Sequence, residues 1–565
     1  MMGNIGNLNM DHKAHVSENR TSPKPISPSR IHKDLPGSPH QETQASSMIR
    51  RAAGKAPHVC VVGAGVAGLR CADVLLQHGM RVTILEGRDR VGGRLCQSSA
   101  LGHMVDLGPN WIHGTDNNPI LDLAKQTNTV IMNWDGRQSV FDHLGKQMPD
   151  KEATETSEVV WGIIEQAMKL SNEESAKIPA EKSLYAYFEE QVVEMFPGDK
   201  EKGKRTAVLQ MAEMWGAFVG SPVQRQSLKF LWLEECIDGE NLFVAGTYHK
   251  ILQKIAQPAL KKAAVMFGHK VTRIVSSEQA EDPKLTVELE GRESQIFDEV
   301  VMTAPLGWLK RNTDAFVPAL PERLQEGIKA IGYGNLDKVY ITFPTAFWND
   351  STTNTTTTAT TSNTTPNVPA TAAPLRPSAA VNPSHYPGFT HFLAPHYTPT
   401  NPSHWNQEAM NLAALPPPTA HPTLLFYIHG PTSLHIASLL RTSPASKHDA
   451  LLTSFFEPYY SLLPSYSASN PDHQPKAILA TAWANDELAG YGSYANFPVG
   501  LERGDEDIEA MRRGVPEKGL WFAGEHTAPF VALGTVTGAW WSGESVAKQI
   551  AGAYGLEGDL DVVAR

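Results

Sequence analysis

The first apolar cluster in the chain is His58-Val59-Cys60-Val61-Val62, too short for a helix and apolar at consecutive positions, as in a buried strand. Val66 to His78 then has the spacing of a buried helix, and Arg81-Val82-Thr83-Ile84-Leu85-Glu86 reads as a second strand. Residues 1–56, ahead of this unit, are polar, rich in Ser, Pro, His and charge, and without apolar periodicity, which predicts a disordered tail. From Thr156 to about Leu260 the period is mostly helical, with long amphipathic stretches at Val159–Leu170 and Ala207–Val219. Val271–Ser276, Leu285–Leu289 and Glu299–Thr303 read as strands of one alternating unit, and Lys338–Phe343 as another strand. Residues 351–380 include eleven Thr among Ala, Pro and Asn, a solvated insertion with too little apolar content for a core. Strand, turn and helix signals return beyond Ala477 and end with a helix near Ala539–Ala553.

A chain of 565 residues exceeds what one hydrophobic core usually serves, so two domains with additions are expected. The charge is uneven: residues 1–57 carry eight basic and four acidic side chains, the remainder 41 basic and 56 acidic. An acidic body argues against phosphate neutralisation of a nucleic acid and favours attraction of a cationic ligand. Four cysteines without paired spacing indicate neither a disulfide framework nor a zinc site. With no membrane-spanning apolar run and no secretory signal pattern, the expectation is a soluble, cytoplasmic protein with no membrane partner.

The most specific local pattern is Gly63-Ala64-Gly65-Val66-Ala67-Gly68, set between the first strand and the first helix. Gly63 permits the tight turn, Gly65 the approach of a pyrophosphate to the backbone, and Gly68 close helix–strand packing. Val66 and Ala67 open the helix, whose N-terminus offers N–H groups and partial positive charge to phosphates. Glu86 follows Gly68 by 18 residues at the end of the next strand, where a carboxylate accepts ribose hydroxyls. The continuation Gly87-Arg88-Asp89-Arg90-Val91-Gly92-Gly93-Arg94 adds a second glycine pair and further guanidiniums, which suits FAD over NAD.

This segment resembles the flavin-containing amine oxidase family, which includes monoamine oxidases, polyamine oxidases and lysine-specific histone demethylases. The resemblance continues in order through Asp106-Leu107-Gly108-Pro109-Asn110-Trp111-Ile112-His113-Gly114, Val271-Thr272-Arg273-Ile274, Thr303 to Lys310, Gly334 to Tyr340, Trp521 to Thr527, and Gly534 to Ala539. It implies that Gly108, Pro109, Asn110 and Trp111 run under the flavin ring and that Val271 meets the adenine. By the same resemblance Glu525 lies near the ribityl and pyrophosphate region, and Thr535 and Val536 present main-chain donors to the flavin N1–C2=O edge. Trp483 is expected either to pack on the flavin or to serve as a core tryptophan. Lys338 is the candidate for holding a water against flavin N5. His113 is the second catalytic candidate, titrating near working pH beside the amine, with a structural role as the alternative. Glu234 and Glu235 either line a cationic substrate's channel or are solvated carboxylates at a helix end.

No cysteine lies in residues 520–550, where monoamine oxidases attach the flavin, so the resemblance implies non-covalent FAD. The expected fold is α/β: a Rossmann-like FAD-binding domain assembled from 57–115, 245–310 and 480–553. An α+β substrate-binding domain of helices and a mixed sheet takes 116–244 and 311–479. The expected reaction is FAD-dependent oxidation of an amine C–N bond, of a polyamine in first place, with a small cationic amine and dioxygen as partners and hydrogen peroxide as product. An L-amino-acid oxidase, a lysine demethylase and a flavin-holding interaction protein are the alternatives. No metal is expected, and neither the exact amine nor the oligomeric state is legible.

Overall fold

The computed structural model describes residues 57–277, 284–349, 381–382 and 384–556; the expected tail at 1–56 and insertion at 351–380 lie outside them. A five-stranded parallel sheet forms the first layer, in the order Leu520–Phe522, Glu299–Met302, His58–Val62, Arg81–Glu86, Ala264–Phe267. Its members come from distant parts of the chain. Along His58–Val62, Val59 and Val61 enter a core shared with helices Val66–Gln77, His249–Lys262 and Val536–Ala553. Cys60 and Val62 enter the core on the opposite face, with Val300, Met302, Leu285 and Val287. Burial on both faces explains why this strand is apolar at consecutive positions.

The second face is covered by a four-stranded sheet, in the order Arg292–Phe297, Leu285–Leu289, Val271–Ser276, Phe316–Val317. Here the structure differs from the single alternating unit expected. Val271–Ser276 and Leu285–Leu289 form an antiparallel ladder, whereas Glu299–Met302 inserts beside His58–Val62 in the parallel sheet. The burial patterns explain the separation: Leu285, Val287 and Leu289 are buried at alternate positions, while all of Glu299–Met302 is buried. Phe316, Leu320, Leu324, Ile328 and Ile331, which the sequence places with the substrate domain, pack into this same core.

A six-stranded mixed sheet forms the other half, in the order Ala477–Ala480, Leu336–Thr342, Thr423–His429, Gln407–Asn411, Phe389–Phe392, Gln138–Phe141. Every neighbouring pair is antiparallel except the last, which is parallel. Helices flank it. Asp150–Glu174 buries residues at 153, 156, 160, 163, 164, 167, 168 and 171, the three- and four-residue rhythm of one helical face. The stretch Ala207–Val219 is not one helix: Lys202–Ala212 tightens into a 3-10 turn at Glu213–Trp215 before the short helix Gly216–Val219. Among the described residues no helix is long and apolar enough to cross a membrane.

Candidate active site

A cavity of about 1920 Å³ lies between the C-terminal ends of the parallel strands, marked by Val62, Leu85 and Met302, and the six-stranded sheet. The carboxyl end of an open parallel sheet is where such folds bind ligands. The volume is roughly twice the upper end of the usual 300–1,000 Å³ range for a small-molecule pocket, enough for a long cofactor and a substrate together. Gly63, Gly65, Val66, Ala67, Glu86, Gly87, Arg88, Gly93, Arg94, Gly108, Pro109, Asn110, Trp111, His113, Val271, Lys338, Trp483, Glu525, Thr535 and Val536 all line it. Gly68 does not. Glu234 reaches the cavity and Glu235 does not.

At the dinucleotide end the two glycines differ in what they face. A Cβ on Gly65 would meet nothing within 4 Å, so its backbone borders open cavity space. A Cβ on Gly68 would come within 2.1 Å of the Gly63 carbonyl oxygen, so Gly68 closes the turn against the helix. The Glu86 carboxylate accepts hydrogen bonds from the N–H groups of Ala64 (2.7 Å) and Arg88 (2.8 Å). A carboxylate has about four acceptor positions, so it retains capacity for hydroxyl donors. The guanidiniums of Arg88 and Arg94, which line the cavity, are also held by protein groups. Arg88 grips both oxygens of Asp486 at 2.9 and 3.0 Å. Arg94 donates to Ser493 O (2.6 Å) and to Glu525 (2.9 Å), whose side chain is buried. Lone buried charges are costly, and these pairs remove that cost while bracing the cavity wall.

Lys338 lies on the central strand Leu336–Thr342 and is buried, its ammonium donating to the carbonyl oxygens of Gly108 and, at 3.3 Å, Asp106. Burial lowers its proton affinity, while the buried Asp106 carboxyl opposes that shift. The segment it holds has further ties. Tyr340 Oη donates to Asp106 O (2.7 Å), Tyr248 Oη to Trp111 O (2.7 Å), and Tyr427 Oη to Asn110 Oδ1 (2.8 Å). On the other side of the strand, Asp337 accepts from Ser433, Thr481 and the Trp483 N–H at 2.6, 2.6 and 2.9 Å, which fixes where Trp483 enters the cavity. Sequence reasoning missed Asp337 and Tyr427 as supports. An acidic residue within an apolar strand was the available signal for Asp337, whereas Tyr427 has meaning only once the strand order is known.

Thr535 is the N-cap of helix Val536–Ala553, accepting from Gly538 N (2.9 Å), so the helix starts three residues before the Ala539 expected from the sequence. The Thr535 N–H points to Ala532 O at 3.3 Å, which leaves the first-turn N–H groups from Val536 as the better main-chain donors to a ligand. His113 departs from expectation. Burial pulls its imidazole down to about 4, so it is neutral at working pH; Nδ1 faces Asn241 Oδ1 at 3.2 Å. It takes up a proton only well below working pH, and one ring nitrogen remains a hydrogen-bond donor and the other an acceptor. Glu234 and Glu235 lie at the end of the 3-10 helix Leu231–Glu234, half-buried and each bound to a side-chain amide. Glu234 accepts from Gln226 (2.7 Å) with burial raising its carboxyl to about 7, and Glu235 accepts from Asn172 (2.7 Å).

The parallel sheet, the glycine turn on a helix N-terminus and the carboxylate after the second strand define a dinucleotide-binding protein with an adjoining chamber. The family model for flavin-containing amine oxidoreductases matches residues 66–551. Probable polyamine oxidase 4 of Arabidopsis thaliana is 28% identical over 54% of this chain, which spans 62% of that relative's length. Polyamine oxidase 3 of Oryza sativa subsp. japonica is 27% identical over 87% of this chain and 89% of its own. A solved putrescine oxidase double mutant, 16% identical, superposes with a TM-score of 0.59 over 88% of this chain and 99% of its own, a likeness of fold. The chain belongs to the flavin-containing amine oxidoreductase family. Membership makes FAD its cofactor and amine oxidation its general class of reaction. The residues fit that group: open space before Gly65, spare acceptors on Glu86, and a helix N-terminus at Val536.

Proposed function

We propose that this chain oxidises a polyamine. The observation that carries this reading is the charge of the chamber beyond the dinucleotide end. Among the described residues, its walls from 133–241 and 384–427 contain Asp135, Asp150, Glu158, Glu165, Glu234, Glu240 and Glu408, against Arg137 as their one arginine or lysine. Arg137 is itself bound to Asp135 at 2.6 Å. Such a field concentrates a multiply charged cation. An amino acid's carboxylate would need a cation of its own in that chamber, and Arg137 is engaged, which counts against an amino-acid oxidase.

Bound FAD supplies the two-electron acceptor. The chain's residues hold the amine, exclude water and manage protons. The reacting nitrogen must be neutral when the neighbouring C–H is broken, and an enclosed site favours the neutral form through desolvation. Neutral His113 offers a hydrogen-bond acceptor to the entering amine without itself taking up charge at working pH. The Lys338 ammonium, held on the carbonyls of Asp106 and Gly108, orients a water for the imine hydrolysis that follows. Dioxygen takes up two electrons and two protons to give hydrogen peroxide. No cysteine lies in 520–550, which supports non-covalent binding.

The test is anaerobic bleaching of the flavin together with aerobic peroxide release, across spermine, spermidine, their acetylated forms, monoamines, amino acids and a methyl-lysine peptide. Polyamines should bleach the flavin fastest. Faster bleaching by an amino acid or the peptide would overturn the polyamine reading, and no bleaching by any amine would overturn turnover itself.

A further inference from the structure

The six-stranded sheet brings four side chains into one row. Lys338 pairs in register with Tyr427, Tyr427 with Glu408, and Glu408 with His391. Residues directly opposite each other point to the same face of a sheet, and all four line the cavity. Glu408 is nine-tenths buried, and no hydrogen bond reaches its carboxylate among the described residues. Its nearest polar neighbour is His391 Nδ1 at 3.5 Å, beyond good hydrogen-bond distance, and that nitrogen is also buried without a partner. A buried polar nitrogen without a partner is unusual, and a carboxylate on the cavity wall with no hydrogen-bond donor among the described residues is open to one from a ligand. Met410 and Phe389 pair in register two residues along, and with Trp134 they give the same cavity wall an apolar strip.

We propose that Glu408, assisted by His391, holds the remote ammonium of a polyamine whose reacting C–N bond lies beside Lys338. The inference rests on the amine-oxidising reading above and adds the specificity residue. Strands lie about 4.7–4.9 Å apart, so the Glu408 backbone is two steps, roughly 10 Å, from that of Lys338. An extended aliphatic chain advances roughly 1.2–1.3 Å per bond, so a nitrogen seven to eight bonds from the reacting carbon reaches that position. The ammonium donates to the carboxylate and to the lone pair of the neutral imidazole. The methylenes between lie along Met410 and Phe389.

The experiment uses the FAD-loaded enzyme and its Glu408→Gln variant, with flavin content and Tm recorded for both. Each is assayed with long diamines or triamines and with monoamines of equal chain length. Loss of a charge-assisted hydrogen bond should raise KM for the polyamine by about 10- to 100-fold with kcat little changed, and leave the monoamine KM within about twofold. Glu408→Asp should recover part of the difference. Equal KM changes for both substrate types, or no change, would overturn the assignment. A second measurement needs no variant: with wild-type enzyme, the advantage of diamine over monoamine should peak at an intermediate chain length. An advantage that rises steadily with length, or is absent, overturns it equally. If wild-type enzyme oxidises no polyamine, the failure is of the functional reading; if it does and the variant keeps the same discrimination, only Glu408 is misassigned.

Discussion

Lys338 carries its ammonium to two backbone carbonyls of the segment at 106–108, a placement with consequences for chemistry more than for stability. Lys338→Met keeps similar volume, so FAD content should persist with a modest change in Tm. The steps that need an oriented water should slow by about 10- to 1000-fold, corresponding to about 1.4–4 kcal/mol in a transition state. Stopped-flow traces would assign the loss to flavin reduction or to reoxidation, and rates within twofold of wild type would remove Lys338 from the active site. The lysine was legible because its motif, Gly334 to Tyr340, names it by position. Glu408 and His391 were not. Nothing in Gln407-Glu408-Ala409 distinguishes a cavity carboxylate from a surface one until strand pairing puts it in a row with Lys338.

The glycine turn and its helix offer a test in which cofactor binding and folding separate. A Cβ at Gly65 enters open cavity space, at a backbone conformation (φ −75°, ψ 179°) that any residue adopts. Gly65→Val should therefore yield folded protein with an apo Tm close to that of flavin-free wild type, yet lose the yellow colour on purification. Gly68→Ala places a methyl against the Gly63 carbonyl and should lower the apo Tm as well. The reverse pattern, with Gly65→Val unfolded and Gly68→Ala stable, would contradict these roles. Elements with strong local grammar were readable in this way: the first strand–helix–strand, the strands at 271–276 and 285–289, and the C-terminal helix. Strands Gln138–Phe141, Phe389–Phe392 and Gln407–Asn411 escaped because they are short, and their apolar positions are shared with charged or polar residues that face the cavity. The turn at Glu213–Trp215 escaped for another reason: helical periodicity continues through it while the hydrogen bonding tightens.

Across the whole molecule, buried histidines give folding a definite response to acid. His113, His391, His429 and His526 are each held by burial at about 4, below the ordinary 6.5. Between those values the unfolded chain binds protons at these positions and the folded chain does not, so stability falls as pH is lowered through the window. Glu234 and Glu408 act in the opposite sense. Burial raises them to about 7, so the folded chain keeps protons that the unfolded chain releases near 4.5, and their contribution is lost as pH rises through 7. Buried histidines and buried carboxyls thus pull against each other across the same window, so the share of one group is read by substituting it alone. His526 is the cleanest place to check the cause, since both ring nitrogens are buried without hydrogen-bond partners. In His526→Gln the unfolded state gains one proton fewer on acidification. The slope of unfolding free energy against pH in that window should therefore shrink by up to about 1.4 kcal/mol per pH unit, whatever the variant's absolute stability. Urea titrations at half-unit pH steps read that slope directly, and a slope equal to wild type would mean that His526 titrates alike in the folded and unfolded chains.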